Sequence, residues 1–277
     1  MSFRTLPVQA VPGSGSTLDR ELTDRYLADL GLERAAPSSG LLDAITRRHV
    51  ARHSFASVGP RLGLELPIDP PSLFRRIVVE RRGGYCFEQN GLLFAVLEDL
   101  GFEVRPLLAR VLLGGNHHPG LTHRISLVTI EGRSHVADVG FGAFGPRGPV
   151  AIEGPASGPH RIEELSPGEF HLRIDRDGAP FSLYRFELSR YGEADCELGH
   201  FWSHRHPQAT FVNHLVAARI LDNEVRSLRN REYRVIRASG ESREEIAAAG
   251  RLQGILRDEF GLEVSTSEAE RLFAGLP

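Results

Sequence analysis

The chain has 277 residues, 41% hydrophobic and 25% charged, which is ordinary for a globular enzyme and long enough for one large core or two to three smaller ones. Its 33 basic and 36 acidic residues leave a net charge of −3, giving no reason to expect a nucleic acid or an anionic membrane as partner. Every basic residue is arginine, which excludes lysine Schiff-base chemistry and a lysine-based phosphate loop.

In chain order, residues 1–16 are rich in Pro, Gly and Ser, lack an apolar segment of signal-peptide type and read as a flexible tail. Leu18 to Leu32 follows as an amphipathic helix with Leu22, Tyr26, Leu27 and Leu30 on one stripe. Leu41 to Val50 and Ser72 to Val79 are shorter helices, separated by a proline-rich break at Pro67 to Pro71. Behind Cys86, residues Phe87, Leu93, Phe94, Leu97 and Leu100 recur at mostly helical spacing, and Gly101 ends the pattern. From Phe102 the period becomes that of strands. Val104 to Leu113, Arg124 to Ile130 and His135 to Val139 are predicted strands, with Glu131-Gly132 as the turn between the last two. A second hairpin joins His171–Ile174 to Phe181–Leu188 through Asp175-Arg176-Asp177-Gly178. Val216–Leu221, Glu224–Leu228 and Glu232–Ile236 read as further strands, and a helix from about Arg243 to Phe260, ended by Gly261, closes the pattern. Helices, then mostly antiparallel strands, then a smaller mixed unit make an α+β arrangement.

The longest apolar run, Leu92 to Leu97, is far too short to cross a bilayer. Two cysteines, Cys86 and Cys196, make no disulfide framework, although a single pair stays open. A reducing cytoplasm is the expected compartment, and it suits a working thiol.

Cys86 stands directly behind Gly83-Gly84-Tyr85 at the head of a helical pattern. A helix N-terminus or a neighbouring imidazolium lowers a thiol from about 8.5 to about 3.5–7.5, and the thiolate is the nucleophile. A buried structural cysteine is the plainer alternative. A thiol nucleophile also needs a base, and the base an orienting acceptor. His123 precedes one strand and Asp138 lies in the next. With the turn centred between residues 130 and 131, the two stand directly opposite each other, at the separation of cross-strand pairs. The carboxylate would then fix the tautomer of the imidazole that faces the thiol. His117, His118 and His123 lack the spacing of a zinc framework, so no metal site is predicted. His200, His204 and His206 around Trp202 read as a loop cluster with no evident ligand partner.

Arg81-Arg82-Gly83-Gly84-Tyr85-Cys86-Phe87-Glu88-Gln89-Asn90, Thr122-His123-Arg124 and Asp138-Val139-Gly140-Phe141-Gly142 together resemble the cysteine, histidine and aspartate motifs of the arylamine N-acetyltransferases. Phe201-Trp202 through Thr210-Phe211, and Phe260-Gly261, are similar as well, so that the resemblance spans roughly residues 17 to 277. It implies a cysteine-protease-like core in three domains: a helical domain at 17–108 carrying the nucleophile, an antiparallel β-barrel at 109–212 and an α/β lid at 213–277. It further implies that Cys86 takes an acetyl group from acetyl-coenzyme A as a thioester and passes it to an arylamine or arylhydrazine in a ping-pong reaction. His123 would activate the thiol and Asp138 would hold His123. Thr122 and Gly142 would lie near the coenzyme, and Phe55, Phe141 and Phe211 in the acceptor pocket, with core packing the alternative for Phe141 and Phe211.

Two stretches depart from the family pattern. Ser54-Phe55-Ala56-Ser57 stands where Pro-Phe-Glu-Asn is usual, which removes the carboxylate expected for Arg81 and requires that arginine to find another acceptor or stay in water. Gly142-Ala143-Phe144-Gly145-Pro146-Arg147 replaces a second glycine and a Thr-Ala-Pro run in the loop where the coenzyme phosphates would lie. These departures motivate an alternative, an amide synthase of the same fold that takes its acyl chain from a carrier protein. A thiol hydrolase or transglutaminase-like enzyme shares the Cys, His, Asp order, and a non-catalytic scaffold is the remaining reading.

Overall fold

The computed structural model describes residues 18–115, 119–154, 158–176 and 178–277. The predicted tail at 1–16 lies outside the described residues, as do His117, His118 and Asp177.

The first part is helical: α1 (Arg20–Asp29), α2 (Ser39–Arg52), α3 (Val58–Leu62), α4 (Pro70–Phe74) and α5 (Cys86–Asp99), with the short strand β1 (Phe55–Ala56) between α2 and α3. Side chains close the open ends of these helices. Asp19 accepts from the amide of Leu22 at 2.8 Å, Ser38 from Leu41 at 3.2 Å and Asp69 from Ser72 at 2.9 Å, and proline leads α4 where no amide hydrogen is needed. Arg75–Val79 continues α4 in wider π-helical turns. Tyr26, Leu27, Leu42, Ile45, Leu73, Leu92 and Val96 form the core of this part, and Val128 and Ala137 from the neighbouring sheet join it. As a result α5 is buried on nearly all sides, wedged between helices and barrel. That burial explains why its apolar residues run almost continuously rather than as a stripe.

Seven strands follow: β2 (Glu103–Val111), β3 (His123–Ile130), β4 (Arg133–Ala137), β5 (Val150–Ala151), β6 (His160–Ser166), β7 (Glu169–Arg176) and β8 (Ala179–Glu187). They pair antiparallel in the order β5-β4-β3-β2-β8-β7-β6, and β5 approaches β6 so that the sheet nearly closes into a barrel around Leu107, Ile125, Val136, Leu172, Leu183 and Tyr184. Glu131 and Gly132, with φ of 52° and 74°, form the predicted turn. Because that turn has two residues, Ile130 pairs with Arg133 and Ser126 with Ala137. Asp138 is therefore not directly opposite His123 as predicted. It lies on the diagonal, two positions along, on the same face of the ladder and still within reach.

The last part holds α6 (Glu193–Arg205), α7 (Thr210–Asn213), a five-stranded sheet of order β1-β9-β10-β11-β12 and two closing helices, α8 (Ala249–Asp258) and α9 (Thr266–Ala274). The strands are β9 (Val216–Ile220), β10 (Glu224–Arg229), β11 (Glu232–Arg237) and β12 (Gly240–Glu245). Two predictions are corrected here. His200 and His204 sit on α6, not in a loop, and His206 is its C-cap. Residues 243–245 are strand rather than helix, because β11 offers an edge on which Arg243 pairs with Arg234, and α9 adds a helix that the pattern did not show. The α+β class, with its helical, barrel and mixed parts, stands.

Candidate active site

Cys86 is the first residue of α5 and only 3% exposed. Its position is built from the glycines upward. Gly83 has φ of 67°, and a Cβ there would come within 2.9 Å of Ala56 Cβ and of the Ser54 carbonyl oxygen, so the chain can pass only as glycine. Gly84 then bridges to Phe55, and its carbonyl accepts from the Ala56 amide at 2.8 Å. Glu88, one turn into α5, reaches back to accept from the Tyr85 amide at 3.1 Å while its other oxygen binds Arg76 Nε at 2.6 Å. Burial pushes the Glu88 carboxyl up, and Arg76 and the Tyr85 amide oppose that. The Tyr85 hydroxyl meets His200 Nδ1 at 2.5 Å, which pins α6 across the start of α5.

The arginines before the glycines divide their work. Arg82 forms a bidentate pair with Glu268 of α9, at 2.6 and 2.9 Å. Arg81, for which a lost partner at position 56 was expected, is exposed and needs no buried carboxylate. Ala56 instead packs with Val58, Leu62 and the C-terminal core.

Behind the thiol stands a buried polar network. His123 Nε2 meets Asp138 Oδ2 at 2.8 Å, which leaves the other ring nitrogen for Cys86. Asp138 Oδ1 accepts from Asn90 Nδ2 and from the Gly140 amide, both at 2.9 Å. Asn90 also donates to the Arg124 carbonyl at 2.6 Å and accepts from the Val139 amide at 2.8 Å, so every polar atom of its side chain ties β3 or the end of β4 to α5. Burial alone would lower His123. The Asp138 charge and hydrogen bond outweigh it, with Cys86 adding, and push the ring up to about 10. Burial likewise works against the Asp138 charge, but His123, Asn90 and the Gly140 amide hold the carboxyl below its ordinary range. The Cys86 thiol points at the Thr122 carbonyl, 3.5 Å away. Gly140 passes so close that a Cβ there would lie 2.8 Å from Cys86 Cα.

Cys86 and His123 line a cavity of about 360 Å³, and all five of the predicted binding residues line it too. Phe55 and Phe211 stand edge-on at 5.6 Å, and Phe211 leans on Tyr85 at 5.2 Å. Phe141 packs against the His123 ring at 5.1 Å and Tyr184 at 5.3 Å. Core packing and cavity lining are thus both true of Phe141 and Phe211. Thr122 and Gly142 form part of the wall on the barrel side.

Three contributors were not picked out from the sequence. Asn90 sits four residues after Cys86, hence one turn on along the same helix face, and that spacing was a legible signal. Gly140 showed only as a letter of the aspartate motif and Tyr184 carried no signal, since their approach to Cys86 and to Asp138 depends on how the barrel meets α5. Tyr184 is buried beside Asp138, and burial followed by the Asp138 charge and hydrogen bond pushes its hydroxyl well up. Cys86 and Cys196 are both free thiols. Among the described residues no group of three or more His, Cys, Asp or Glu is placed to hold a metal ion, and no helix is long and apolar enough to cross a membrane.

The chain's sequence matches the N-acetyltransferase family model over residues 40–269. It is 32% identical over 246 residues to an arylamine N-acetyltransferase of Escherichia coli strain K12, covering 84% of this chain and 86% of the relative. An arylamine N-acetyltransferase of Mycobacterium bovis is 33% identical over 242 residues, covering 83% and 84%. Among solved structures, the Mycobacterium marinum arylamine N-acetyltransferase in complex with CoA superimposes with a TM-score of 0.86 at 27% identity, covering 92% of this chain and all of that one.

Proposed function

The chain belongs to the arylamine N-acetyltransferase family, and from that premise we propose that it moves an acetyl group from acetyl-coenzyme A to an arylamine or arylhydrazine through a thioester on Cys86. The observation that carries the reading is the His123 imidazole held between Asp138 and the thiol, in a cavity walled by four phenylalanines, Phe55, Phe141, Phe144 and Phe211.

His123 takes the thiol proton on the nitrogen that Asp138 leaves free, and the sulfur attacks the carbonyl carbon of the donor thioester. The C–S bond to coenzyme A breaks, and the departing thiolate leaves with the proton returned from His123. The product is an acetyl thioester on Cys86. An amine then attacks the same carbonyl carbon, His123 takes its proton, and Cys86 leaves as the thiol. Asp138 keeps the imidazole in one tautomer and stabilises it when charged. The donor enters beside Thr122 and Gly142, and the acceptor's ring lies among Phe55, Phe141 and Phe211. The CoA bound in the Mycobacterium marinum relative supports coenzyme A, rather than a carrier protein, as the acyl carrier.

The three-domain division at 17–108, 109–212 and 213–277 is part of the same proposal. It is supported by the cavity wall, which draws Phe55 and Cys86 from the first segment, Val111 to Phe211 from the second and Val216 to Arg229 from the third, although the first boundary falls inside β2, whose residues 103–108 already pair with β3. Initial rates measured at several fixed amine concentrations test the route. Parallel double-reciprocal lines against acetyl-coenzyme A are expected. Intersecting lines would mean direct transfer, without the Cys86 thioester.

A further inference from the structure

A second cleft lies on the reverse face of β9, and it gathers charges that the acyl-transfer site does not use. Neighbouring residues of a strand point to opposite faces. Ala218 therefore lines the active-site cavity while Arg219 lines the second cleft, and Phe55 and Ser54 divide in the same way. No described residue lines both. The second cleft has a volume of about 170 Å³, room for a tetrahedral oxyanion with water beside it. It opens where the end of α2, the turn ahead of Gly83 and β9 meet Gly261 and Leu262, which connect α8 to α9.

Three arginines, Arg52, Arg81 and Arg219, line this cleft against one acid, Asp29. Asp29 is taken by Arg52, whose Nε and Nη2 hold it at 3.0 and 2.7 Å. Arg219 has no carboxylate of its own. Its Nε and Nη1 reach the carbonyls of Ala51, at 2.7 Å, and Glu259, at 3.4 Å. The Glu259 carboxylate is engaged by Arg226 at 2.9 Å and by the Tyr233 hydroxyl at 3.0 Å. Burial, followed by the charges of Arg226 and Arg52, lowers the Arg219 guanidinium, so these cations crowd one another. Arg81 makes no side-chain hydrogen bond or ion pair among the described residues. Its backbone is left-handed, with φ of 51°, and its carbonyl is tied to the Glu263 amide at 2.9 Å.

His53 completes the wall. It is 6% exposed, and its Nε2 is buried without a hydrogen-bond partner. Asp29 Oδ2, already bound by Arg52, stands 3.5 Å away. Burial, then His49, Arg52 and Arg81, hold the ring well below its ordinary value with Asp29 alone opposing, so the imidazole is neutral and can present an N–H.

We propose that this cleft is a binding site for a phosphate dianion, free or as the head of a phosphate monoester, held between Arg81 and Arg219 with His53 as a further donor. Three guanidiniums against one carboxylate leave two positive charges in excess, and a phosphate monoester near pH 7 carries about −1.5 to −2. A carboxylate would match only half of that excess. Guanidinium forks also fit phosphate oxygens in charge-assisted pairs. The bound anion would tie the helical part to the small sheet, directly behind the Gly83-Gly84 turn that sets Cys86. Such binding is independent of acyl transfer and of any ligand in the active-site cavity.

Isothermal titration of the full chain with inorganic phosphate and with glycerol 3-phosphate, at constant ionic strength, tests the site. One site with a Kd of about 1 mM or tighter is expected for at least one of the two probes. Arg81→Gln, a change at an exposed side chain, should weaken that binding about ten-fold or more, and Arg81→Lys should recover part of it. The thermal midpoint should rise in phosphate over chloride of equal ionic strength, and Arg81→Gln should lose that rise. Binding of both probes assigns the site to phosphate monoesters, and binding of inorganic phosphate alone assigns it to the free ion. A Kd weaker than about 10 mM for both probes overturns the proposal. Binding that Arg81→Gln leaves unchanged also overturns it, because the anion would then sit elsewhere.

Discussion

His49 and His123 are both buried, yet they are driven in opposite directions. His49, on α2, meets the Tyr26 hydroxyl at 2.6 Å and the Gln89 side chain at 2.7 Å, all neutral groups. Burial lowers it to about 4, with the Gln89 hydrogen bond only partly opposing. His123 is equally buried but faces Asp138, and it rises to about 10. Consecutive residues of one helix serve the two sites, Gln89 reaching His49 and Asn90 reaching Asp138. Burial by itself makes a histidine a neutral structural bolt. A carboxylate fixed by Asn90 and the Gly140 amide makes it a base that can hold a proton beside a thiol.

Replacing that carboxylate should break the contrast, with the largest effect. In Asp138→Asn, His123 should fall toward the behaviour of His49, and the rate of Cys86 acylation should drop by about 10³–10⁴-fold, the scale of triad-acid removal elsewhere. Rapid-quench mass spectrometry of the acyl-enzyme checks this, and a rate within ten-fold of wild type would contradict it.

The pH dependence of stability sharpens the contrast at smaller scale. The folded value of His49, about 4, lies below its ordinary 6.5, so its contribution is complete above 6.5 and is lost as pH falls from 6.5 toward 4. That loss amounts to about 3 kcal/mol for a shift of this size. His123 has the opposite sign: its folded value is raised, so its contribution is complete below 6.5 and is lost as pH rises through about 10. Glu268, held near 2 by Arg82, acts lower still, as pH falls from 4.5 through 2. Urea unfolding between pH 7 and pH 4 should therefore show a slope that His49→Phe reduces, the remainder belonging to His53 and His200, which burial lowers in the same direction. An unchanged slope in that variant would assign the acid sensitivity elsewhere.

Much of the site was legible in the sequence, because its parts are local. Gly83-Gly84 ahead of a helix and Asp138 among apolar neighbours each announce their chemistry within a few residues. The missed features depend on what meets what. The register between His123 and Asp138 was misplaced by two positions because it is set by how many residues the turn consumes, and the side chains still meet because an even slip keeps both on one face. The helix α6 reads inside out: Cys196, His200, Ser203 and His204 face inward while Leu198, Phe201 and Trp202 are exposed, so no apolar stripe marks it. Arg81 and Arg82 look alike in sequence, and only the docking of α9 shows that Arg82 takes Glu268 while Arg81 stays in water. The C-terminal strand β12 carries four charged residues and no large apolar one, and its pairing is decided by the free edge of β11 rather than by its own pattern.

The most direct test of the account is intact-mass analysis after brief exposure to acetyl-coenzyme A without amine, followed by peptide mapping. The account predicts the mass of one acetyl group, located on Cys86, absent in Cys86→Ser and discharged on adding an arylamine. An acetyl group that maps to another residue, or a protein that turns over amine while Cys86 stays unmodified, would contradict it.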